Sequence, residues 1–281
     1  MKVSVIIPVY ESWELIPGLV ERLRNQTIDS EQYEVILVDN GSSNIDEALL
    51  TAGCVLLKCE KPGSYAARNR GVEAAKGAVL VFTDSDCLPE PDWLTNLVDG
   101  IGENQLRAGA VTIRTREQPN WIERFDGVRG IPQEQYVSRG YAATANLAVP
   151  AQIFRSLGGF DESRFSGGDA EFCRRASAHG AHLAYIDNAV VGHPARTEWS
   201  QLLTKARRVT GGQIKSGSLV RRIMWLLRTA FPPVIEWTQI VFENRRPISD
   251  RLIALTIVSA LWMIRLTETA RLIFGYRPER R

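Results

Sequence analysis

The chain has 281 residues, of which 44% are hydrophobic and 23% charged, with a formal net charge of +2. Such a length holds one large domain or two small ones, and the composition excludes a disordered or low-complexity chain. Four cysteines without a CxxC pair argue against both a disulfide scaffold and a zinc ribbon.

The small net charge hides an asymmetry. Residues 200–281 hold 15 Lys/Arg and 5 Asp/Glu, which leaves 19 basic and 27 acidic residues in 1–199. The two stretches are expected to do different jobs. At the N-terminus, Val3–Ile7 is cut short by Pro8 and is too brief for the core of an export signal.

Short apolar runs at Val3–Val9, Tyr33–Val38, Cys54–Leu57 and Ala78–Phe82 predict strands. Between them, helices are predicted near Trp13–Asn25, Asn44–Ala52 and Ser64–Lys76. This alternation predicts a doubly wound α/β sheet, in which ligands bind outside the carboxyl ends of the strands. Three polar clusters fall on that edge: Tyr10-Glu11, Asp39-Asn40-Gly41-Ser42-Ser43 and Asp84-Ser85-Asp86. Farther along, Pro91–Ile101 reads as a helix, and Ala108–Ile113 and Thr144–Val149 as strands. A helix is expected from Asp169 to Gly180, then two short strands, His182–Ile186 and Ala189–Gly192.

Asp84-Ser85-Asp86 carries the most chemistry. An acidic cluster cannot continue a buried strand into a core, so the chain must surface there. In extended backbone, residues two apart share a side and lie roughly 7 Å apart, so Asp84 and Asp86 can converge on one target. Two carboxylates that close repel unless something positive intervenes, and a hard divalent cation, Mn²⁺ or Mg²⁺, suits oxygen ligands. The plain alternative is a solvated turn.

Several motifs taken in order resemble the family 2 glycosyltransferases, which have the GT-A fold. They are VSVIIPVYES, EVILVDNGSSN, GSYAARNRGVEAAKGAVLVFTDSDCLPEPDWL, TANLAVPAQIFRSLGGFDE, GGDAEFCRRASAHG and VVGHPAR, spanning about residues 3 to 200. The resemblance implies a Rossmann-like, mixed central sheet flanked by helices over 1–200. Its nucleotide-sugar half would cover about 1–100 and its acceptor half about 101–200. It places Pro8, Tyr10, Glu11 and Asp39 near the nucleotide, Arg68 near base or phosphate, and Asp84, Ser85 and Asp86 at the metal and donor. His193 would complete the metal site and Asp169 would be the catalytic base. Gly168 stands where the family often has Glu, and Glu171 could share the base role. Asn146, Gly168 and Glu171 are the residues expected near the acceptor.

Read from the residues alone, Asp169 equally suits a helix N-cap, Asp39 an Asx turn, Arg68 a solvated charge and His193 an ordinary half-buried histidine. Trp93, Trp121 and Phe160 fit core packing as well as sugar stacking. Three activities are compatible with these features. The first is a metal-dependent, inverting glycosyltransferase using a nucleotide-diphosphate sugar, UDP-linked by family habit, and a glycan or lipid-linked hydroxyl acceptor. The second is a sugar nucleotidyltransferase, against which the first loop, Pro8-Val9-Tyr10-Glu11-Ser12, lacks Gly, Arg and Lys. The third is a non-catalytic partner that binds a nucleotide sugar.

Residues 201–281 form a basic, amphipathic helical extension. Leu219, Val220, Ile223, Met224, Leu227 and Phe231 fall on one helical face, with Arg221, Arg222 and Arg228 on another. Leu252–Ile264 has no charge but is short of a bilayer, and lengthening it brings in Arg265, Glu268 and Arg271. A helix lying in the membrane plane therefore fits better than a span. The alternative is packing on the core or on a second copy in a homo-oligomer. No nucleic-acid motif accompanies the charge. The expected location is cytoplasmic, peripheral on the inner face of the cell membrane.

Overall fold

Val3–Val9 form β1, with every residue but Pro8 buried; a run apolar on both sides suits a strand covered on both faces. The computed structural model describes residues 2–45, 53–164, 166–215, 218–244 and 246–278. β1 pairs in parallel with β2 (Tyr33–Asp39) and β4 (Val79–Phe82), and β2 with β3 (Cys54–Lys58). The register sets Val9 opposite Asp39 and Ile6 opposite Phe82. The loops after β1, β2 and β4 therefore leave from one edge.

The sheet is mixed and has eight strands in the order β3-β2-β1-β4-β7-β6-β8-β5. The added strands are β5 (Leu88–Pro89), β6 (Gln105–Arg114), β7 (Leu147–Pro150) and β8 (His182–Pro194). β7 runs antiparallel to β4 and β6, and β5 antiparallel to β8. Helices cover both faces, as expected for GT-A. On one side α1 (Ile16–Arg24) buries Ile16, Leu19, Val20 and Leu23, the spacing of a single helical stripe. On the other, α2 (Ser64–Ala74) and α7 (Gly168–Ala178) enclose Phe82, Phe154, Phe160 and Phe172.

Two compact units result. The first comprises Met1–Thr112, Ile131–Glu162 and Gly168–His193; the second comprises Ile113–Gly130, Ser163–Gly167 and Pro194–Arg281. In the second, α4 (Trp121–Arg129) begins with a capping box between Asn120 and Glu123. It packs with α8 (Trp199–Lys215) and α11 (Ile248–Ile273) around Phe125, Leu202, Ala206, Ile257, Val258 and Leu261. α9 (Leu219–Ala230) and α10 (Val234–Val241) lie between α8 and α11 in the chain.

Several elements depart from the sequence reading. The two short strands expected after His182 are one strand, because Asp187 and Asn188 are exposed without breaking it. Thr144–Asn146 is a 3-10 turn that precedes β7, and Pro91–Ile101 shrinks to α3 (Trp93–Val98). The short helices α4, α5 (Gln133–Ser138) and α6 (Ala151–Ser156) went unread. The helix expected near Asn44–Ala52 lies mostly outside the described residues. In α11, Glu268, one of the charges that lengthening the apolar run brings in, is 2% exposed and paired with Arg271.

Gly71 sets the depth at which α2 meets the sheet. A Cβ there would come within 2.5 Å of Ile6 Cγ2 and 3.1 Å of Val38 Cγ2. Both neighbours are β-branched strand residues with little rotamer freedom. Gly71→Ala is expected to destabilise the fold by about 1–3 kcal/mol, read from the midpoint of urea unfolding. An unchanged midpoint would mean that α2 is not pinned at this depth.

Candidate active site

The face of α2 turned toward the sheet edge carries Tyr65, Arg68 and Asn69, spaced to lie side by side on a helix. Each holds a different segment. Asn69 accepts from Phe160 N and donates to Phe160 O, both at 2.9 Å, and donates to Glu162 Oε1 at 2.9 Å, fixing the Gly158–Glu162 turn. Arg68 is 3% exposed, and its Nη2 forms an ion pair with Asp84 Oδ1. Tyr65 donates its hydroxyl to Asp169 Oδ1 at 3.3 Å and accepts from Gly168 N at 2.9 Å. One helix thus positions both the Asp84 turn and the start of α7.

Asp169 stands in the first turn of α7. It keeps some contact with solvent, yet it is hemmed in deeply enough that desolvation raises its pKa above the ordinary carboxylate value. The Ala170 amide, Arg68 and Tyr65 oppose that rise, while Asp84 adds to it. A carboxylate so poised accepts a proton more readily than an exposed one.

Asp84 and Asp86 follow β4, as the sequence predicted. The antiparallel pairing of Leu88 with Gly192 carries the end of β8 alongside this turn, and His193 Nε2 comes 3.5 Å from Asp86 Oδ2. Ligand atoms of Asp84, Asp86 and Cys87 lie within 4.8 Å of one another. The Cys87 thiol is fully buried and donates to Ala145 O, and burial, then Asp84 and Asp86, push its pKa far up, which sets it apart from the two carboxylates. What remains is two carboxylates and an imidazole, a set suited to a hard divalent cation.

The other two loops are tied to each other and to this turn. Glu11 has φ 48, an unusual backbone for a non-glycine residue, and is clipped in place. Its carboxylate accepts from Ser43 N and Oγ, while its own N–H donates to Ser42 Oγ at 3.0 Å. Ser12 Oγ and Ser85 Oγ share a hydrogen bond of 2.8 Å. Asp39 is 3% exposed; it accepts from Trp13 Nε1 at 3.0 Å and from the Gly41 and Ser42 amides. Pro8 and Tyr10 flank the same edge, Tyr10 being 40% exposed.

A family model described as "Glycosyl transferase family 2" matches residues 4–154. The chain belongs to that family. It is a glycosyltransferase, and the nucleotidyltransferase and non-catalytic readings give way to this. Among curated relatives, "Glycosyltransferase AglE" of Haloferax volcanii is 33% identical over 297 residues, covering 99% of this chain and 97% of AglE. "Glucosyl-dolichyl phosphate glucuronosyltransferase" of the same organism is 28% identical, covering 73% and 74% of the two chains. The mannosyltransferase PcManGT from Pyrobaculum calidifontis, solved with GDP-Man and Mn²⁺, superposes with a TM-score of 0.65 at 15% identity. It covers 98% of this chain and 88% of PcManGT. S. aureus TarS with UDP superposes at 0.56 and 16% identity, covering 98% and 93%. These likenesses establish the GT-A fold.

Not every residue expected near the site of this glycosyltransferase is brought there. Asn146 is fully buried, accepting from Trp93 Nε1 and donating to the Ala110 and Ala189 carbonyls, all at 2.9 Å. Glu171 is held by Arg175 through two contacts, 2.9 and 3.0 Å. Trp93 and Phe160 are core residues; Trp121 is 49% exposed and packs against Trp199 with the rings tilted by 32°. Conversely, Tyr65, Ser12 and Trp13 were not singled out from sequence. Tyr65 precedes Arg68 by three positions on a helix, which was the available signal.

The same tyrosine explains Gly168. A Cβ at that position would fall 2.7 Å from Tyr65 Cε2, so the ring fills the space a larger residue needs. Gly168→Ala is expected to destabilise the protein by about 1–3 kcal/mol, and much less in a Tyr65→Ala background. A double-mutant cycle with no coupling would show that the ring does not select glycine there.

Proposed function

We propose that this enzyme moves a sugar from a nucleoside-diphosphate sugar, UDP-linked by family habit, to the hydroxyl of a glycan or lipid-linked acceptor. Transfer is by direct displacement with inversion, with Asp169 as general base. The observation that carries this reading is Asp169 itself: a single carboxylate of raised pKa, oriented by Tyr65 beside the Arg68–Asp84 pair. Glu171, the neighbouring acid on α7, is committed to Arg175. One base without a second carboxylate placed as nucleophile suits single displacement, because retention by double displacement needs both.

Each residue then has a task. The cleft between the loops of β1 and β2 takes the nucleotide, with Asp39 and the clipped Glu11 backbone shaping it. Asp84, Asp86 and His193 would hold Mn²⁺ or Mg²⁺, which when bound offsets charge on the departing diphosphate. Arg68 holds Asp84 in place through their ion pair. Asp169 takes the acceptor hydroxyl proton as the new bond forms, a contribution of roughly 10²–10⁴ in rate. Similarity to a glucosyl-dolichyl phosphate glucuronosyltransferase and to an undecaprenyl-phosphate 4-deoxy-4-formamido-L-arabinose transferase supports a lipid-linked acceptor.

Membrane-surface attachment through the second unit fits such an acceptor. On α9, Leu219, Val220, Met224 and Leu227 are each at least 56% exposed, as are Phe231 beyond its end and Ile235 on α10. α11 is long and apolar enough to cross a bilayer, but it buries Ala254, Ile257, Val258 and Leu261 against α4 and α8 and encloses Glu268. That favours a helix lying at the cytoplasmic surface over a span.

Asp169→Asn should lower kcat by roughly 10²–10⁴ while leaving metal-dependent donor binding intact, whereas Asp86→Asn should lose both. Near-normal kcat in Asp169→Asn would move the base elsewhere. For the membrane, Met224→Glu with Leu227→Glu should weaken co-sedimentation with anionic vesicles and spare turnover of a soluble acceptor analogue. Equal sedimentation of variant and parent would refute attachment through α9.

A further inference from the structure

The second unit contains a solvent-open cavity of about 330 Å³ lined by Arg196, Ser200, Gln201, Thr204, Lys205 and Arg208. Four of these lie on one face of α8, because Gln201, Thr204, Lys205 and Arg208 repeat at helical spacing. Arg196 comes from the segment just before the helix. Three cations and three neutral hydrogen-bonding side chains thus line one hollow, and no acid does.

The charges are not spent on one another's partners. Asp126, the carboxylate facing this group from α4, is taken up by Arg196, accepting from its Nη1 at 3.0 and 3.1 Å and from its backbone N–H at 2.9 Å. At the exposed rim, Glu198 accepts from Ser200 Oγ at 2.9 Å. Among the described residues, Lys205 and Arg208 make no ion pair, and Arg208 Nε is buried without a hydrogen-bond partner. A buried guanidinium N–H left unpaired is costly, and an arriving oxyanion would relieve it. Lys205 is strained in the same sense: desolvation, then Arg196 and Arg129, hold its pKa down to about 7, against a smaller opposing pull from Asp126, with Arg208 adding to the depression.

We propose that this cavity is a binding site for a phosphate or diphosphate group, with Arg208 and Lys205 as its principal ligands and Thr204 as a neutral donor. It is built within the second unit and does not depend on Asp169 acting as a base. The phosphate can arrive free in solution or as the headgroup of a lipid; the chemistry recognised is the same.

Calorimetric titration of the full chain with inorganic diphosphate, in EDTA so that cation-dependent donor binding is silent, tests it. Binding is expected in the parent, weakened by roughly tenfold or more in Arg208→Gln and in Lys205→Gln. It should be unchanged in Arg221→Gln, a basic residue of α9 outside the cavity. Lys205→Arg keeps the charge and should retain binding. Titration with sulfate, whose charge is constant near neutrality, should weaken as pH rises through about 7 in the parent but not in Lys205→Arg. Circular dichroism of each variant separates lost binding from lost fold. Retention on phosphatidic acid vesicles that needs Arg208 and is reversed by diphosphate identifies a lipid headgroup as the source. Diphosphate binding without such retention identifies a free phosphate. No diphosphate binding by the parent, or equal binding by folded Arg208→Gln and parent, overturns the proposal, and neither result touches the assignment of Asp169.

Discussion

A guanidinium withdrawn from water beneath Asp84 is the contact on which the architecture of this site turns. Burying a cation is tolerable only when a carboxylate meets it, and breaking such a pair leaves an uncompensated charge. Arg68 therefore cannot drift from Asp84, and the helix that carries it cannot drift from the turn after β4. Because Tyr65 and Asn69 share that helix face, the same restraint reaches Asp169 and the Gly158–Glu162 turn. Segments distant in sequence are registered against one another by a single turn of helix.

The sheet supplies the other half of the geometry. Parallel pairing of β1 with β2 and β4 delivers three loops to one edge, and the antiparallel pairing of β5 with β8 returns His193 to the same place. Hydrogen bonds between the loops, Glu11 with Ser43 and Ser12 with Ser85, then hold them in one arrangement. A cleft assembled this way has less conformational freedom to lose when a ligand enters.

The parallel strands, the acidic turn, the helix that starts beside Asp169 and the family were legible in the sequence because each rests on local signals: apolar runs, punctuation by glycine and proline, and motif order. The relations between them were not. Without the family resemblance, Arg68 suited a solvated charge equally well, since a polar residue on a helix gives no sign that its face turns inward. Tyr65 escaped for the same reason, and with it the explanation for Gly168. His182–Pro194 read as two strands because Asp187 and Asn188 imitate a turn, although they are exposed residues within one continuous strand. The burial of Glu268 was not legible, because it depends on packing among α4, α8 and α11, which no single-helix pattern encodes.

The thiol of Cys87 has its own consequence. Soft heavy metals and peroxides attack the thiolate form of cysteine, and a neighbouring pair of aspartates together with burial keeps this sulfur protonated. The turn thus keeps a sulfur next to its oxygen donors in the less nucleophilic thiol form.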